Sequence, residues 1–210
     1  KECQIETVVM ESTGVDWIPL FELLERRGFE VLLVDPRRLK SVPGRKTDVT
    51  DAEWLAQCLQ LGLLRGSFVP STQVREWRDL TRQRTQLLDQ RTRVVNRIHK
   101  TLEGCNLKLA TVASDIFGVS GRAMLKALSE GEQDAARLAA LAQGRLKAAH
   151  DELVASLEGH VSEHQRWLLQ RLLKQVEFVE AEIALYDARL AELLRPFEAA
   201  LTRLDTIDGV

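Results

Sequence analysis

Nine apolar residues near the end of the chain, Leu169, Leu172, Val176, Val179, Ile183, Tyr186, Leu190, Leu193 and Phe197, recur in alternating steps of three and four. About four heptads of this spacing demand one long helix with a single apolar seam, and such a seam is stable only when another helix covers it. A coiled-coil helix is therefore expected over 162–194, inside a segment running from 161 to 203. Its partner can lie in the same chain or in a second copy, and the spacing alone serves both.

The start of the chain obeys a different rule. Thr7–Met10 is strand-like, and 15–27 carries apolar residues at helical spacing before Gly28, a helix stop. Phe29–Val34 is nearly all apolar, as expected of a strand covered on both faces. This β-α-β order predicts a parallel pair with a right-handed crossover. Asp35-Pro36 ends the second strand, and a further helix is expected over 48–64, with Val49, Leu55, Leu59 and Leu63 towards the core. From Thr72 strand signals vanish. A long helix is expected to Glu103, followed by shorter ones over 121–128 and 132–141. The fold class is thus partial α/β followed by mostly α.

Charge is segregated along the chain. The formal net charge of the 210 residues is −2, yet 71–108 holds Arg75, Arg78, Arg82, Arg84, Arg91, Arg93, Arg97, Lys100 and Lys108 against only Glu76, Asp79, Asp89 and Glu103. That block is strongly basic and the remainder acidic, which points to a polyanionic partner for the long helix. Arginine suits phosphate because its planar fork donates two hydrogen bonds at once. Solvated arginines pairing with local acids are the alternative. Three cysteines without ligand spacing fit a reducing cytoplasm better than a disulfide framework. No apolar run approaches the roughly 18 residues of a membrane span.

Three acids stand where chemistry is commonly presented. Glu11 leaves the first strand, at the edge where open α/β sheets bind ligands. Asp48 and Asp51 lie three apart at a helix start and share one face. Hard carboxylate oxygens suit Mg²⁺ or Mn²⁺, and two such ions about 4 Å apart stabilise both the attacking and leaving oxygens of phosphoryl transfer. Acids in a first helical turn also simply oppose the helix dipole. Arg45 and Lys46, next to Asp48, are candidates for holding a phosphate there. Trp54 and Trp77 read as core or interface residues, and His99, His150, His160 and His164 show no metal spacing.

Taken in order, Val9-Met10-Glu11-Ser12-Thr13-Gly14, Val42-Pro43-Gly44-Arg45-Lys46-Thr47-Asp48-Val49-Thr50-Asp51-Ala52 and Ser114-Asp115-Ile116-Phe117-Gly118-Val119-Ser120-Gly121 closely resemble the DEDD transposases, the bridge-RNA-guided recombinases of one insertion-sequence family. The resemblance implies an RNase H-like, RuvC-like N-terminal domain joined by a coiled coil to a C-terminal domain bearing a serine nucleophile. It assigns Glu11, Asp48 and Asp51 as catalytic, metal-binding acids. The family's first Asp has no counterpart in this chain, and Leu204-Asp205-Thr206-Ile207-Asp208-Gly209 resembles the entry of the serine domain with Asp208 in place of a proline. Both ends read as cut, so the chain alone is expected to be inactive.

The resemblance further implies a RuvC-like domain over 1–70, a basic helical region over 71–160 that completes it, the coiled coil over 161–203, and the start of the serine domain over 204–210. The partners implied are DNA, a guide (bridge) RNA and further copies of the chain as a dimer or tetramer through the coiled coil. The implied setting is the bacterial cytoplasm, with no membrane. Arg45, Lys46, Arg75, Arg78, Arg82, Arg84, Arg93, Arg97 and Lys100 are the expected nucleic-acid contacts. Two other functions remain open at this point: a metal-dependent, structure-specific endonuclease of the RuvC type, and a non-catalytic nucleic-acid-binding oligomerisation module.

Overall fold

The computed structural model describes residues 5–39, 48–144, 146 and 150–208, with the backbone alone at 38, 39 and 48–50. The chain divides into two compact units, Lys1–Val74 and Arg75–Val210.

In the first unit β1 (Thr7–Glu11) and β2 (Glu30–Val34) pair in parallel, connected by α1 (Trp17–Arg26). The register sets Thr7 opposite Glu30 and Glu11 opposite Val34, so both strands deliver their carboxyl ends to one edge. Helix α1 stops where glycine permits it. Gly28 takes φ 79°, and the Gly28 and Phe29 amides donate to Glu25 O and Leu24 O at 2.9 and 3.1 Å, the paired bonds that close a helix through a left-handed residue. Leu33 and Val34 are buried, as an all-apolar strand requires.

After β2 comes a single turn, α2 (Pro36–Leu39), and then α3 (Asp48–Gln60), which packs against β1. The expectation that this helix reaches Leu64 is corrected by the structure. Gly62 adopts φ 67°, and the Gly62 and Leu63 amides donate to Leu59 O and Cys58 O, both at 3.0 Å, closing the helix as Gly28 closes α1. Leu63, expected in the core, is 61% exposed. Cys58 is the fully buried residue of α3 instead.

The second unit is helical throughout its described residues. It contains all but the first three residues of α4 (Thr72–Gly104), then α5 (Leu109–Val112), α6 (Val119–Glu130), α7 (Ala135–Ala139), α8 (His150–Ser156), α9 (Glu163–Leu194) and α10 (Glu198–Leu204). Helix α9 starts with a capping box: Ser162 Oγ accepts from Gln165 N at 3.2 Å, while Gln165 Oε1 accepts from Ser162 N at 2.9 Å, satisfying two otherwise orphan donors.

The partner of the heptad seam lies in the same chain. Arg84 pairs with Asp187, Arg91 with Glu180, Arg97 with Gln175 and Gly104 with Gln165. Residue numbers fall on α9 as they rise on α4, so the two helices run antiparallel along most of their length. Leu169, Leu172, Val176, Val179, Ile183 and Leu190 are buried on the seam, with Val94, Ile98 and Leu102 buried on α4. Towards the open end of this hairpin Trp77 meets Phe197 edge to face, ring centroids 5.0 Å apart.

The shorter helices complete the core with Met124, Leu125, Leu128, Leu138, Leu153 and Leu157. Helix α6 is longer at both ends than the expected 121–128, and α7 is shorter than 132–141. Its Asp134 cap accepts from Ala136 N at 2.9 Å. Gly121 has a steric reason: a Cβ there would lie 2.2 Å from Ile116 O. The glycine of the Ser114–Gly121 motif is thus a close-packing residue where the chain turns into α6.

Candidate acidic site and nucleic-acid interface

Glu11 is the last residue of β1, and its half-buried carboxylate is steadied by Thr13, whose Oγ1 donates to Oε1 at 2.9 Å. One residue further, Ser12 N donates to Val34 O at 3.0 Å, so β1 remains tied to β2 past Glu11. The next residue along β2 is Asp35, which sequence reasoning did not weigh. It shares the strand edge, but its Oδ1 accepts from Arg37 N at 2.9 Å, an Asx turn that starts α2.

Asp51 lies in the first turn of α3, half-buried, with Oδ1 shielded from solvent. Asp48 opens that helix; its side chain is outside the described residues, as are Arg45 and Lys46 altogether. Among the described residues no three His, Cys, Asp or Glu side chains gather at metal-binding range. What the structure does place is Glu11 at a strand edge and Asp51 on the helix packed against that strand. Both are oxygen donors of the kind a hard divalent cation takes.

In the second unit the basic residues of α4 divide into two groups. Arg78, Arg82, Arg93, Arg97 and Lys100 are exposed. Spaced by threes, fours and multiples of them, they fall within one face about 100° wide and about 33 Å long. Arg75 is half-buried on the same face. Among the described residues, local contacts barely occupy the five exposed cations. Arg82 stands 3.6 Å from the exposed Asp79, a geometry worth little in water. Arg93 Nε donates to Asp89 O at 3.3 Å, and Arg97 Nη2 to Gln175 Oε1 at 3.1 Å. Arg78 and Lys100 have no ion pair among the described residues.

Arg84 and Arg91 point the other way, towards α9. The hydrogen bond and charge of Asp187 hold the Arg84 guanidinium above its ordinary pKa. Arg91 Nε donates to Glu180 Oε1 at 2.8 Å, and Arg122 Nη2 from α6 donates to the same oxygen at 2.6 Å. Both guanidinium groups lie over the Phe117 ring, at 5.6 and 5.3 Å from its centroid. Glu180 therefore ties α4, α6 and α9 together beside the Ser114–Gly121 motif.

Burial pushes the Glu180 carboxyl up, but the hydrogen bonds and charges of Arg122 and Arg91 outweigh it, leaving the group below the usual glutamate range. Its contribution to stability is thus complete above about pH 4.3, the unfolded value. It fades as pH falls through the lowered native value. Glu180→Gln is expected to lower Tm at neutral pH by about 2–6 °C, for a loss of about 1–2 kcal/mol from a half-buried pair. It should also flatten the acid limb of a Tm-against-pH curve recorded by circular dichroism.

Cys58 and Cys105 are free and buried, and burial pushes the Cys105 thiol up, away from the thiolate form that reacts. No helix among the described residues is long and apolar enough to cross a membrane.

Among the described residues α4 thus presents an exposed face on which cations outnumber acids, a surface of a kind that phosphates can meet. A protein-family model described as Transposase, of the DEDD IS110 kind, matches residues 2–107, and the chain belongs to that family of insertion-sequence transposases. The match takes in Glu11, Asp48, Asp51 and the whole of α4, and leaves the Ser114–Gly121 motif and α9 outside. No curated protein and no solved structure matches the chain.

Proposed function

We propose that this chain is the nucleic-acid-handling part of an RNA-guided transposase that cleaves and exchanges DNA strands with the help of Mg²⁺ or Mn²⁺. The reading takes the first unit as part of an RNase H-like, RuvC-like domain, with Glu11, Asp48 and Asp51 as metal ligands. The observation that carries it is the placement, inside the family match, of Glu11 at the shared carboxyl edge of β1 and β2, with α3 packed on β1. Metal ions held there would supply Lewis-acid stabilisation of the charge that develops on the scissile phosphate.

In this reading the protein's own groups have distinct tasks. Glu11, kept in place by Thr13, and the first-turn acids of α3 converge as oxygen donors. Arg45 and Lys46 hold the phosphate beside them. The exposed face of α4 tracks a nucleic-acid backbone, DNA or guide RNA, through Arg78, Arg82, Arg93, Arg97 and Lys100, with Arg75 at its N-terminal end. A serine from a further domain attacks phosphorus; its oxygen forms the new ester as the DNA's own P–O bond breaks. Copies of the chain assemble as a dimer or tetramer so that serine and metal site meet.

The test is a cleavage reaction with the transposase that carries this chain, its guide RNA, donor and target DNA, and Mg²⁺. The expected result is a covalent protein–DNA adduct that is alkali-labile, as a phosphoserine ester is, and that requires both RNA and metal. Cleavage that needs no RNA and leaves no adduct would instead indicate hydrolysis by water, and the proposal would fall.

A further inference from the structure

Where α4 stops and α9 starts, the two helices part around a cleft of about 380 Å³, within the range of sites that hold small organic groups. Its apolar lining comes from α9, with Leu172 buried and Leu168 half-buried. One turn before Leu168 on that helix is the exposed imidazole of His164. The α4 side is its last two turns, where Arg97 and Lys100 stand exposed beside Thr101 and Gly104. No carboxylate is among the described residues that line the cleft.

The polar atoms here are only partly committed among the described residues. Gln165 Oε1 accepts from Ser162 N and Oγ at 2.9 and 2.8 Å, while its Nε2 donates to Gly104 O at 3.4 Å and keeps a second N–H. Thr101 Oγ1 donates to Arg97 O at 2.9 Å and retains lone pairs. Arg97 Nη2 donates to Gln175 Oε1, and the rest of its planar fork suits a phosphate.

We infer that this cleft receives one unpaired nucleotide of the nucleic acid that α4 follows. The base lies against His164, Leu168 and Leu172. Its edge, which in every base carries both donors and acceptors, meets the Gln165 N–H and the Thr101 oxygen, and the flanking phosphates fall to Arg97 and Lys100. Both cations belong at once to the cleft and to the exposed face of α4, so a backbone running along that face passes the cleft's mouth. A base inside an intact duplex would have to leave its stack, which costs free energy. The cleft therefore selects a nucleotide already unpaired in a bulge, loop or single strand. Packing on an imidazole and aliphatic groups tolerates any base, so the choice is of structure and not of sequence. The cleft between α6 and α9 is larger, about 590 Å³, but Glu130 and Glu177 line it together with Lys126 and Lys174, and carboxylates repel a phosphate.

This inference rests on the reading of α4 as a nucleic-acid surface, and the two fail separately. Fluorescence anisotropy with the full chain compares a paired duplex, the same duplex with a one-nucleotide bulge, and that bulge with its base removed, each made as RNA and as DNA. The base-bearing bulge should bind at least about tenfold tighter than either other form. His164→Ala should erase most of that difference. So should Gly104→Leu, which fills the cleft: a Cβ at Gly104, the last residue of α4, would meet only Gln165 Nε2, at 4.0 Å, so the backbone need not move. Helical content and Tm of both variants serve as folding controls. A preference confined to RNA or to DNA supports the cleft and names the strand that enters it. Equal binding of bulged and paired forms, an abasic bulge as tight as the base-bearing one, or a preference that survives both substitutions overturns the cleft and leaves α4 standing. No binding of any form removes nucleic acid from α4 as well.

Discussion

In the transposase that carries this chain, Asp51→Asn and Glu11→Gln are each expected to reduce DNA strand cleavage by about 10³-fold while leaving the fold intact. Each substitution keeps the shape of the side chain and removes one negative charge. A hard divalent cation discriminates strongly between carboxylate and amide oxygen, and a half-buried side chain such as that of Asp51 has little water nearby to take the place of its oxygen. Thermal melting of Glu11→Gln should change little, because the side-chain hydrogen bond Glu11 accepts from Thr13 can be accepted by the glutamine oxygen as well. Asp35→Asn supplies the control. That residue shares the strand edge, but its oxygen is committed to the Arg37 amide, and asparagine retains that bond, so cleavage should stay within about twofold. If Asp35→Asn were as damaging as Asp51→Asn, the edge as a whole would matter and not the proposed ligands. A plasmid cleavage assay with metal titration measures both variants, and rescue of Asp51→Asn at raised Mn²⁺ would mark a weakened ligand set.

The elements most legible in the sequence were those with a long period or a hard stop. Helix α9 announced itself through a nine-residue apolar series whose last member, Phe197, falls just past its end, and its cap, Ser162 three before Gln165, is a local signal. Gly28 ended α1 where it was expected to. The same chemistry at Gly62 was overlooked: the apolar spacing through Leu63 suggested continuation, while the left-handed glycine had already closed the helix. Helices α5 and α8, with four and seven residues, are too short to display a period.

The direction of α9's seam was beyond what heptads encode. Yet the basic helix held a signal that would have helped. Arg84 and Arg91 fall on the same side of α4 as Leu80, Leu87, Val94 and Ile98, and an arginine on an apolar stripe requires an acid partner. Asp187 and Glu180 sit at matching places on α9. Counting helical angle as well as charge separates these structural arginines from the outward ones before any coordinates exist. The acidic trio was legible as types and spacing, but the distances among its members are a tertiary property, which no period describes.

That separation of arginines leads to the second large effect. Replacing Arg78, Arg93 and Lys100 together by alanine should weaken nucleic-acid binding by about two to three orders of magnitude near 0.1 M salt. It should also reduce the slope of log affinity against log salt by about 2–3, since each phosphate contact on duplex DNA releases close to one counterion. The three side chains are exposed, so the triple variant should keep its helical content. Arg84→Ala removes the same charge from the same helix and should behave in the opposite way. Its guanidinium is bound to Asp187 on α9, so its loss should loosen the α4–α9 hairpin slightly and leave the salt slope unchanged. Fluorescence anisotropy across a salt series, with a structured RNA and with duplex DNA as separate ligands, reads both quantities. A slope unchanged in the triple variant would reassign the stripe to a solvated face; an equal drop in slope for Arg84→Ala would mean that net charge, and not the outward surface of α4, governs binding. If the slope falls for one ligand alone, that ligand is the backbone α4 follows.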